Sequence, residues 1–473
     1  MRAVLDGRDA LGVLPTGGGK SVCYQVPALM LGGPTLVVTP LISLMEDQVA
    51  RAGVVGLRAA CLSATQSSDV RRTIERRMRD GALDLLFVSP ERLELGSFRS
   101  VLEVAGVRLV AVDEAHCISE WGHDFRPAYR RIGRVTRSLG APVLALTASA
   151  TPAVRIDIRD VLDLRDPTVV VRSFDRPNLW WGVRRGGDLA DRVVRTWRWV
   201  RTRGGSTIVY APTRRSVELV RDRLAALGLS CAAYHAGLRG EERSSVQERF
   251  MQGAVRVVVA TNAFGMGIDK ADVRTVIHVQ LPTTLEAYYQ EAGRAGRDGL
   301  PAACVSFRGR GDGRLGRAFA DAAYPAPRRL RTLWHALRAA AGPDGTVAPD
   351  DPRLVALMGG VPRAWMEGEP VGPLGALERA GAVIRRPASG TGRGRGGSLP
   401  CRIAVRSSLD LALIRRRRKR VLASLEAVRR YAGTRECRTG ALLRYFGELS
   451  REACGRCDRC GWDLETGWPA LDG

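Results

Sequence analysis

The sequence predicts an α/β protein with two parallel sheets in succession, each covered by helices, then a smaller basic segment and a helical, cysteine-bearing end. Three observations predict it. Short apolar runs alternate with amphipathic stretches over residues 1–165, and the alternation recurs over 170–310, the pattern of strands joined by crossover helices. A glycine-rich turn ending in Lys20-Ser21 stands between the first apolar run and the next amphipathic stretch, where such sheets place anion sites. Four of the ten cysteines gather near the end, at Cys437, Cys454, Cys457 and Cys460.

The first sheet takes its strands from Ala10–Leu14, Thr35–Thr39, Leu83–Val88, Leu109–Val112 and Val143–Thr147. The second takes Ser206–Tyr210, Cys231–Tyr234, Val255–Ala260, Thr275–Val279 and Ala302–Phe307. The Gly/Arg-rich segment Gly309–Arg314 reads as a linker. Helices are expected over Pro325–Ala341, Asp351–Met358 and Leu374–Ile384, a glycine-rich loop over Pro387–Pro400 and a strand at Arg402–Val405. That order suggests a winged-helix-like insert. A long helix over Leu409–Tyr431 carries the run Arg415–Arg420. The expected domains are thus 1–165, 166–310, 311–408 and 409–473.

Length and composition bound the function. The chain has 473 residues, 45% hydrophobic and 26% charged, which excludes a disordered chain or a coiled-coil rod. Apolar runs fall far short of the ~20 residues of a membrane span, and charges occupy Met1–Asp9, where a signal peptide needs an apolar core. A cytoplasmic protein without membrane contact is expected. Net charge is +24. Lys20, Lys270 and Lys419 are the only lysines, so composition favours arginine. Such bias exchanges one base for another but does not create a surplus, which points to a polyanionic partner such as nucleic acid.

The chemistry starts at Leu14-Pro-Thr16-Gly17-Gly18-Gly19-Lys20-Ser21. Glycines let backbone N–H groups turn around phosphate oxygens, Lys20 would reach the β- and γ-phosphates, and Ser21 would hold Mg²⁺. Leu14 stands where the usual motif opens with glycine. Asp113-Glu114-Ala115-His116 follows the strand Leu109–Val112, so its carboxylates reach the same crevice: Asp113 for Mg²⁺, Glu114 for the attacking water. In the second half, Gln290-Glu-Ala-Gly-Arg294-Ala-Gly-Arg297 offers two arginines three residues apart. Charge developing on a transferred phosphoryl group is stabilised by such an arginine from a facing domain. The four cysteines suit tetrahedral Zn²⁺, with disulfides or an iron–sulfur cluster as alternatives.

The stretch Asp113-Glu-Ala-His-Cys-Ile-Ser-Glu-Trp121-Gly-His-Asp-Phe125-Arg126-Pro-Ala-Tyr129 resembles the RecQ family of superfamily-two DNA helicases. So do Thr39–Gln48, Val88–Arg92, Leu146–Thr151, Arg176–Leu179, Tyr234–Leu238 and Ala260–Lys270. The resemblance covers 1–308 and again 420–460, and implies two tandem RecA-like motor domains with an ATP-dependent, 3′→5′ DNA-unwinding activity in repair or recombination. It implies Asp269 at the nucleotide and Gln290 in the sensor motif with Arg294 and Arg297. It implies Trp121, Phe125 and Arg126 as a loop that senses single-stranded DNA, and Thr39, Pro40, Ser89 and Thr261 as phosphate-tracking positions. Cys437, Cys454, Cys457 and Cys460 match the family's structural zinc site. ATP, Mg²⁺ and Zn²⁺ are therefore the expected cofactors, and single-stranded DNA, or duplex with a single-stranded tail, the expected partner.

Two departures stand out. The aromatic–arginine–glutamine motif that recognises adenine in the family, just upstream of the first helix, has no counterpart after Met1. Either the true start lies upstream of Met1, or adenine recognition is weakened or supplied elsewhere. Second, residues 311–436 precede the zinc segment and carry 24 basic and 11 acidic residues, which suggests a relocated module that binds duplex DNA. An RNA helicase, or a strand-annealing protein with an impaired motor, are the rival functions.

Overall fold

The computed structural model describes residues 1–40, 42–63, 66–119, 126–265, 270–309, 311–348, 351–357, 372–387, 401–406, 408–450 and 453–461. They fall into two compact units, one of residues 1–310 with 430–473, the other of 311–429.

The first unit holds two parallel sheets. The strands of the first are β1 Ala10–Val13, β2 Thr35–Val38, β3 Ala59–Leu62, β4 Leu85–Val88, β5 Leu109–Val112, β6 Val143–Thr147 and β7 Thr168–Val171, ordered β3-β4-β2-β5-β6-β1-β7. Because β5, β6 and β1 are neighbours, the loops leaving their carboxyl ends emerge side by side. The strands are near-continuous Val, Leu and Ala, as expected when helices cover both faces. Val37, Phe87, Ala111 and Leu146 lie in one core with Tyr24 and Met45 from the crossover helices.

The second sheet comprises β8 Leu179–Arg185, β9 Ser206–Tyr210, β10 Cys231–Tyr234, β11 Val257–Ala260, β12 Val273–His278 and β13 Ala302–Arg308, ordered β10-β11-β9-β12-β13-β8. The sequence reading missed β3, β7 and β8. Ala59-Ala-Cys-Leu62 carries no β-branched residue, and β7 is a largely exposed edge strand. β8 is interrupted by Gly182, where an added Cβ would lie 2.0 Å from the Trp180 ring; glycine there makes room for the indole.

In the second unit, helices Asp312–Ala323 and Pro327–Ala340 precede β14 Thr346–Val347, helices Pro352–Leu357 and Pro373–Arg379, then β15 Val383–Pro387 and β16 Cys401–Val405. The three strands form an antiparallel sheet ordered β14-β16-β15. Helix, strand, two helices and a two-stranded wing are the winged-helix order. Its core joins Leu330, Leu333 and Leu337 to Leu354, Leu374, Leu377 and Ile403.

Two expectations are corrected. The helix predicted to reach Ile384 stops at Arg379, because Gly381 takes φ +71° and turns the chain into β15. The predicted linker runs into helix from Asp312. Of the glycine-rich loop, residues 388–400 lie outside the described residues. The long helix spans Leu411–Gly433. Among the described residues, no helix is long and apolar enough to cross a membrane.

Candidate functional site: a nucleotide cleft and a four-cysteine centre

Each glycine of the phosphate loop has its own reason to be there. Gly17 and Gly19 take φ +82° and +72°, which side chains disfavour. A Cβ at Gly18 would lie 2.8 Å from the Pro15 carbonyl oxygen, which accepts the Gly18 N–H at 2.9 Å. Ser21 then opens helix Val22–Met30, whose first N–H groups and positive dipole end face the loop.

The loop after β5 lies beside it. The Asp113 N–H donates to Val38 at 2.9 Å, and Asp113 Oδ1 accepts the Glu114 N–H at 2.9 Å. Glu114 takes the left-handed conformation, φ 48°, a strained setting for a carboxylate residue. Its Oε2 lies 3.1 Å from His116 Nδ1, which is also 3.0 Å from Thr147 Oγ1 at the end of β6. Burial pushes Asp113 up to about 6; the Glu114 charge adds to the rise and the Lys20 ammonium opposes it. A buried carboxylate beside a half-buried one, facing an ammonium and a ring of N–H groups, suits a divalent cation bridged to phosphate.

The second sheet brings its sensor segment to this loop. Thr284 caps helix Leu285–Ala292 by accepting the Ala287 N–H at 3.1 Å. That helix presents Gln290, whose Nε2 donates to Ser149 Oγ at 2.8 Å. A Cβ at Gly293 would lie 3.5 Å from Thr16 Oγ1, and one at Gly17 would lie 4.0 Å from Arg297 Cγ. The two arginines therefore part company. Arg297 lies against the phosphate loop, while buried Arg294 packs beside Gly265 within its own lobe, its Nη2 2.9 Å from where a Cβ would stand.

Sequence reasoning gave no role to Arg176. Its Nη1 donates to Gly293 O at 3.2 Å and approaches Thr16 O at 3.5 Å. Its Nη2 donates to Ala295 O at 3.1 Å and Gly296 O at 3.0 Å. One guanidinium thus ties the sensor turn to the phosphate loop. Only the resemblance at Arg176–Leu179 pointed to it, since its partners lie more than a hundred residues away.

Among the expected DNA contacts, Thr39 is buried and its N–H donates to Val88 at 3.0 Å. The Pro40 carbonyl accepts from Arg126 Nη1 at 2.7 Å. Ser89 precedes the turn Pro90–Glu94. Thr261 follows β11, and its Oγ1 accepts the Ala263 N–H at 3.4 Å. Trp121, Phe125 and Asp269 lie outside the described residues.

The four cysteine sulfurs all lie within 4.8 Å of one another, with Cys454–Cys460 at 4.0 Å and Cys457–Cys460 at 3.5 Å. A tetrahedral ion bound at ~2.3 Å sets sulfurs about 3.8 Å apart, so Zn²⁺ fits. Backbone N–H groups of Arg438, Gly440 and Arg456 donate to Cys457, Cys437 and Cys454 sulfurs, each at 3.4 Å. The Cys454 thiol bonded to it, with the Arg438 and Arg459 N–H groups, pushes Cys457 down to about 4 against its burial. The knuckle docks on β8, an edge of the second sheet. Cys457 pairs with Trp181, and the Asp458 N–H donates to Trp181 O at 3.1 Å. Fully buried Arg438 grips the Asp458 carboxylate at 2.8 and 3.2 Å, and Val183 N–H donates to Asp458 at 3.0 Å. Ahead of the knuckle, the end of helix Arg438–Tyr445 reaches the first sheet's helix Pro152–Leu162, where Arg155 Nη2 donates to Phe446 O at 2.7 Å.

Residues 1–158 match the DEAD/DEAH box helicase family, 189–299 the helicase conserved C-terminal domain, and 405–461 the RecQ zinc-binding family. In these three segments the chain resembles RecQ-family helicases. It is 45% identical over 308 residues to the ATP-dependent DNA helicase RecQ of Haemophilus influenzae, covering 65% of this chain and 49% of that one. It is 42% identical over 315 residues to the probable ATP-dependent DNA helicase RecS of Bacillus subtilis, covering 66% and 63%. The chain thus spans about half to two thirds of the length of these curated relatives. In fold it is similar to Mycobacterium smegmatis helicase Lhr bound to single-stranded DNA and AMP-PNP, with TM-score 0.52 and 22% identity over 91% of this chain and 58% of that one. It is likewise similar to helicase MrfA bound to DNA, with TM-score 0.54 and 19% identity over 65% and 45%. The RecQ zinc-binding match takes in all four cysteines, so zinc replaces the iron–sulfur and disulfide alternatives.

Proposed function

We propose that this chain is a RecQ-type, ATP-dependent DNA helicase that moves on single-stranded DNA, with 3′→5′ polarity, in DNA repair or recombination. The observation that carries the reading is the meeting of two sheets at one phosphate loop: Lys20, Ser21, Asp113 and Glu114 from the first, Arg297 and Gln290 from the second.

On this reading the loop amides and Lys20 hold the triphosphate, and Ser21 and Asp113 hold Mg²⁺. Bound Mg²⁺ would neutralise charge on the β- and γ-phosphate oxygens. Glu114 orients the attacking water and accepts its proton. Arg297 meets charge developing on the transferred phosphoryl group, and Arg294 supports the sensor turn from inside its lobe. The Gln290–Ser149 bond forms when the lobes close and breaks when they part, so each hydrolysis cycle becomes a step along the strand. Arg126, bonded to Pro40 next to Thr39, joins the expected DNA-sensing loop to the first sheet. Zinc fastens the knuckle to β8 and leaves the chemistry to the cleft. The winged-helix order of 311–429 supports duplex DNA binding by that unit.

The test is ATP hydrolysis with and without a single-stranded oligonucleotide, with Lys20→Ala as control. Strong stimulation by DNA over RNA, lost in the variant, is expected. Nucleotide-independent annealing without hydrolysis would overturn the reading. Deleting 325–406 is expected to lower duplex affinity; unchanged affinity across several salt concentrations would refute that part alone.

A further inference from the structure

The second unit contains a cavity of about 670 Å³ that belongs to neither the nucleotide cleft nor the zinc centre. Its floor is apolar, formed by Pro325 and Pro327 at the turn between helices Asp312–Ala323 and Pro327–Ala340, together with Leu422. Its rim carries Arg329, Arg415, Arg418 and Lys419. Positions 415, 418, 419 and 422 recur on one face of helix Leu411–Gly433. Arg417 points the other way, buried, and donates to the Arg379 carbonyl. The run Arg415–Arg420 is therefore divided by face, and only part of it addresses the cavity. Asp321, the one carboxylate at the rim, pairs with Arg418 at 2.7 Å. Arg329, Arg415 and Lys419 have no carboxylate partner among the described residues.

A rim of four cations around an apolar floor fits a ligand that offers both anionic groups and a flat apolar face. The size falls in the ~300–1,000 Å³ range of small-ligand pockets. Duplex DNA offers phosphates but hides its base faces, whereas an unpaired strand exposes both. A peptide would look for backbone donors, and prolines have no N–H to give. We propose that this groove binds an unpaired segment of DNA, its phosphates on Arg329, Arg415, Arg418 and Lys419 and a base laid against Pro325, Pro327 and Leu422. The proposal rests on the helicase reading and deepens it, giving the winged-helix unit a second, single-strand contact beside its duplex role.

The test is a salt titration of oligothymidylate binding by the full chain. The variant R329Q/R415Q/R418Q/K419Q is compared with R416Q, which alters an exposed arginine of the same helix that does not line the groove. At about 0.7 per phosphate for a single strand, loss of the four contacts flattens the slope of log K against log salt by roughly 3 in the groove variant, and little in R416Q. Contacts made by the motor lobes are common to both proteins and cancel. Leu422→Ser is expected to weaken oligothymidylate binding while sparing a blunt duplex. If wild type does not bind oligothymidylate, the helicase reading itself fails. If wild type binds and the groove variant matches it in affinity and slope, the groove proposal fails. Equal losses for single strand and blunt duplex would overturn the assignment to unpaired DNA. So would an acidic peptide that occupies the groove without being displaced by oligothymidylate.

Discussion

Arg176→Ala is the most informative single substitution in the nucleotide cleft. The guanidinium makes three hydrogen bonds of 3.0–3.2 Å to the carbonyls of Gly293, Ala295 and Gly296, and a longer approach of 3.5 Å to Thr16. Hydrogen bonds to a charged group contribute ~1.5–3 kcal/mol each. These bonds hold the turn that carries Arg297, so they matter most when the lobes are closed around the transition state. If one bond's worth is expressed there, kcat falls about 10- to 150-fold at ~1.4 kcal/mol per decade. Nucleotide affinity should change little, since Arg176 does not line the phosphate loop's N–H cradle. Arg176→Lys should not rescue, because one ammonium cannot span the carbonyls that the planar fork reaches. The assay is DNA-stimulated ATP hydrolysis with kcat and KM separated, beside fluorescent-nucleotide binding and thermal melting. A kcat within threefold of wild type with an unchanged melt would refute the reasoning, as would a loss confined to KM.

Further outcomes are expected elsewhere. Arg438→Ala strands the buried Asp458 carboxylate. It should cost ~3–5 kcal/mol of local stability, read as faster zinc release to a chromogenic chelator; release at the wild-type rate would disprove the anchor. Tyr445 donates to the buried Glu286 carboxylate at 2.7 Å, and burial raises that acid. Tyr445→Phe should therefore lower the melting temperature at neutral pH, whereas adding Glu286→Gln should recover most of the loss. Asp113 has its folded value raised from 3.8 to about 6. Without Mg²⁺ it stabilises the fold most fully below pH 3.8, and that contribution is lost as pH rises through about 6. Asp113→Asn should flatten the melting profile across this window in metal-free buffer, and an unchanged slope would contradict the raised value. Gly17→Ala, placed at φ +82°, should abolish nucleotide binding while leaving zinc content at the wild-type level.

Much of the chemistry is written in contiguous residues. The phosphate loop is legible because its glycines, Lys20 and Ser21 act within one turn. Asp113 and Glu114 are legible because they directly follow an apolar strand, and the cysteines because three of them share one knuckle. Both sheets are largely legible, since buried parallel strands are continuous apolar runs. The exceptions are informative: β8 hides behind Gly182 and its tryptophans, and β7 behind its exposed edge position. Likewise, periodicity carried a helix to Ile384, but Gly381 ended it.

Tertiary structure alone decided how distant residues pair. Spacing put Arg294 and Arg297 on equal terms; packing buries the first within its lobe and lays the second on Gly17. No local pattern announces that Arg176 will reach four carbonyls, that Arg438 will close on Asp458, or that Arg415 and Lys419 will share a rim with Arg329 while Arg417 turns inward. The physical reason is range. Backbone conformation and hydrophobic period act over a few residues and leave their mark in sequence order. The direction in which a long, charged side chain finds its partner depends on which surfaces the completed core brings together.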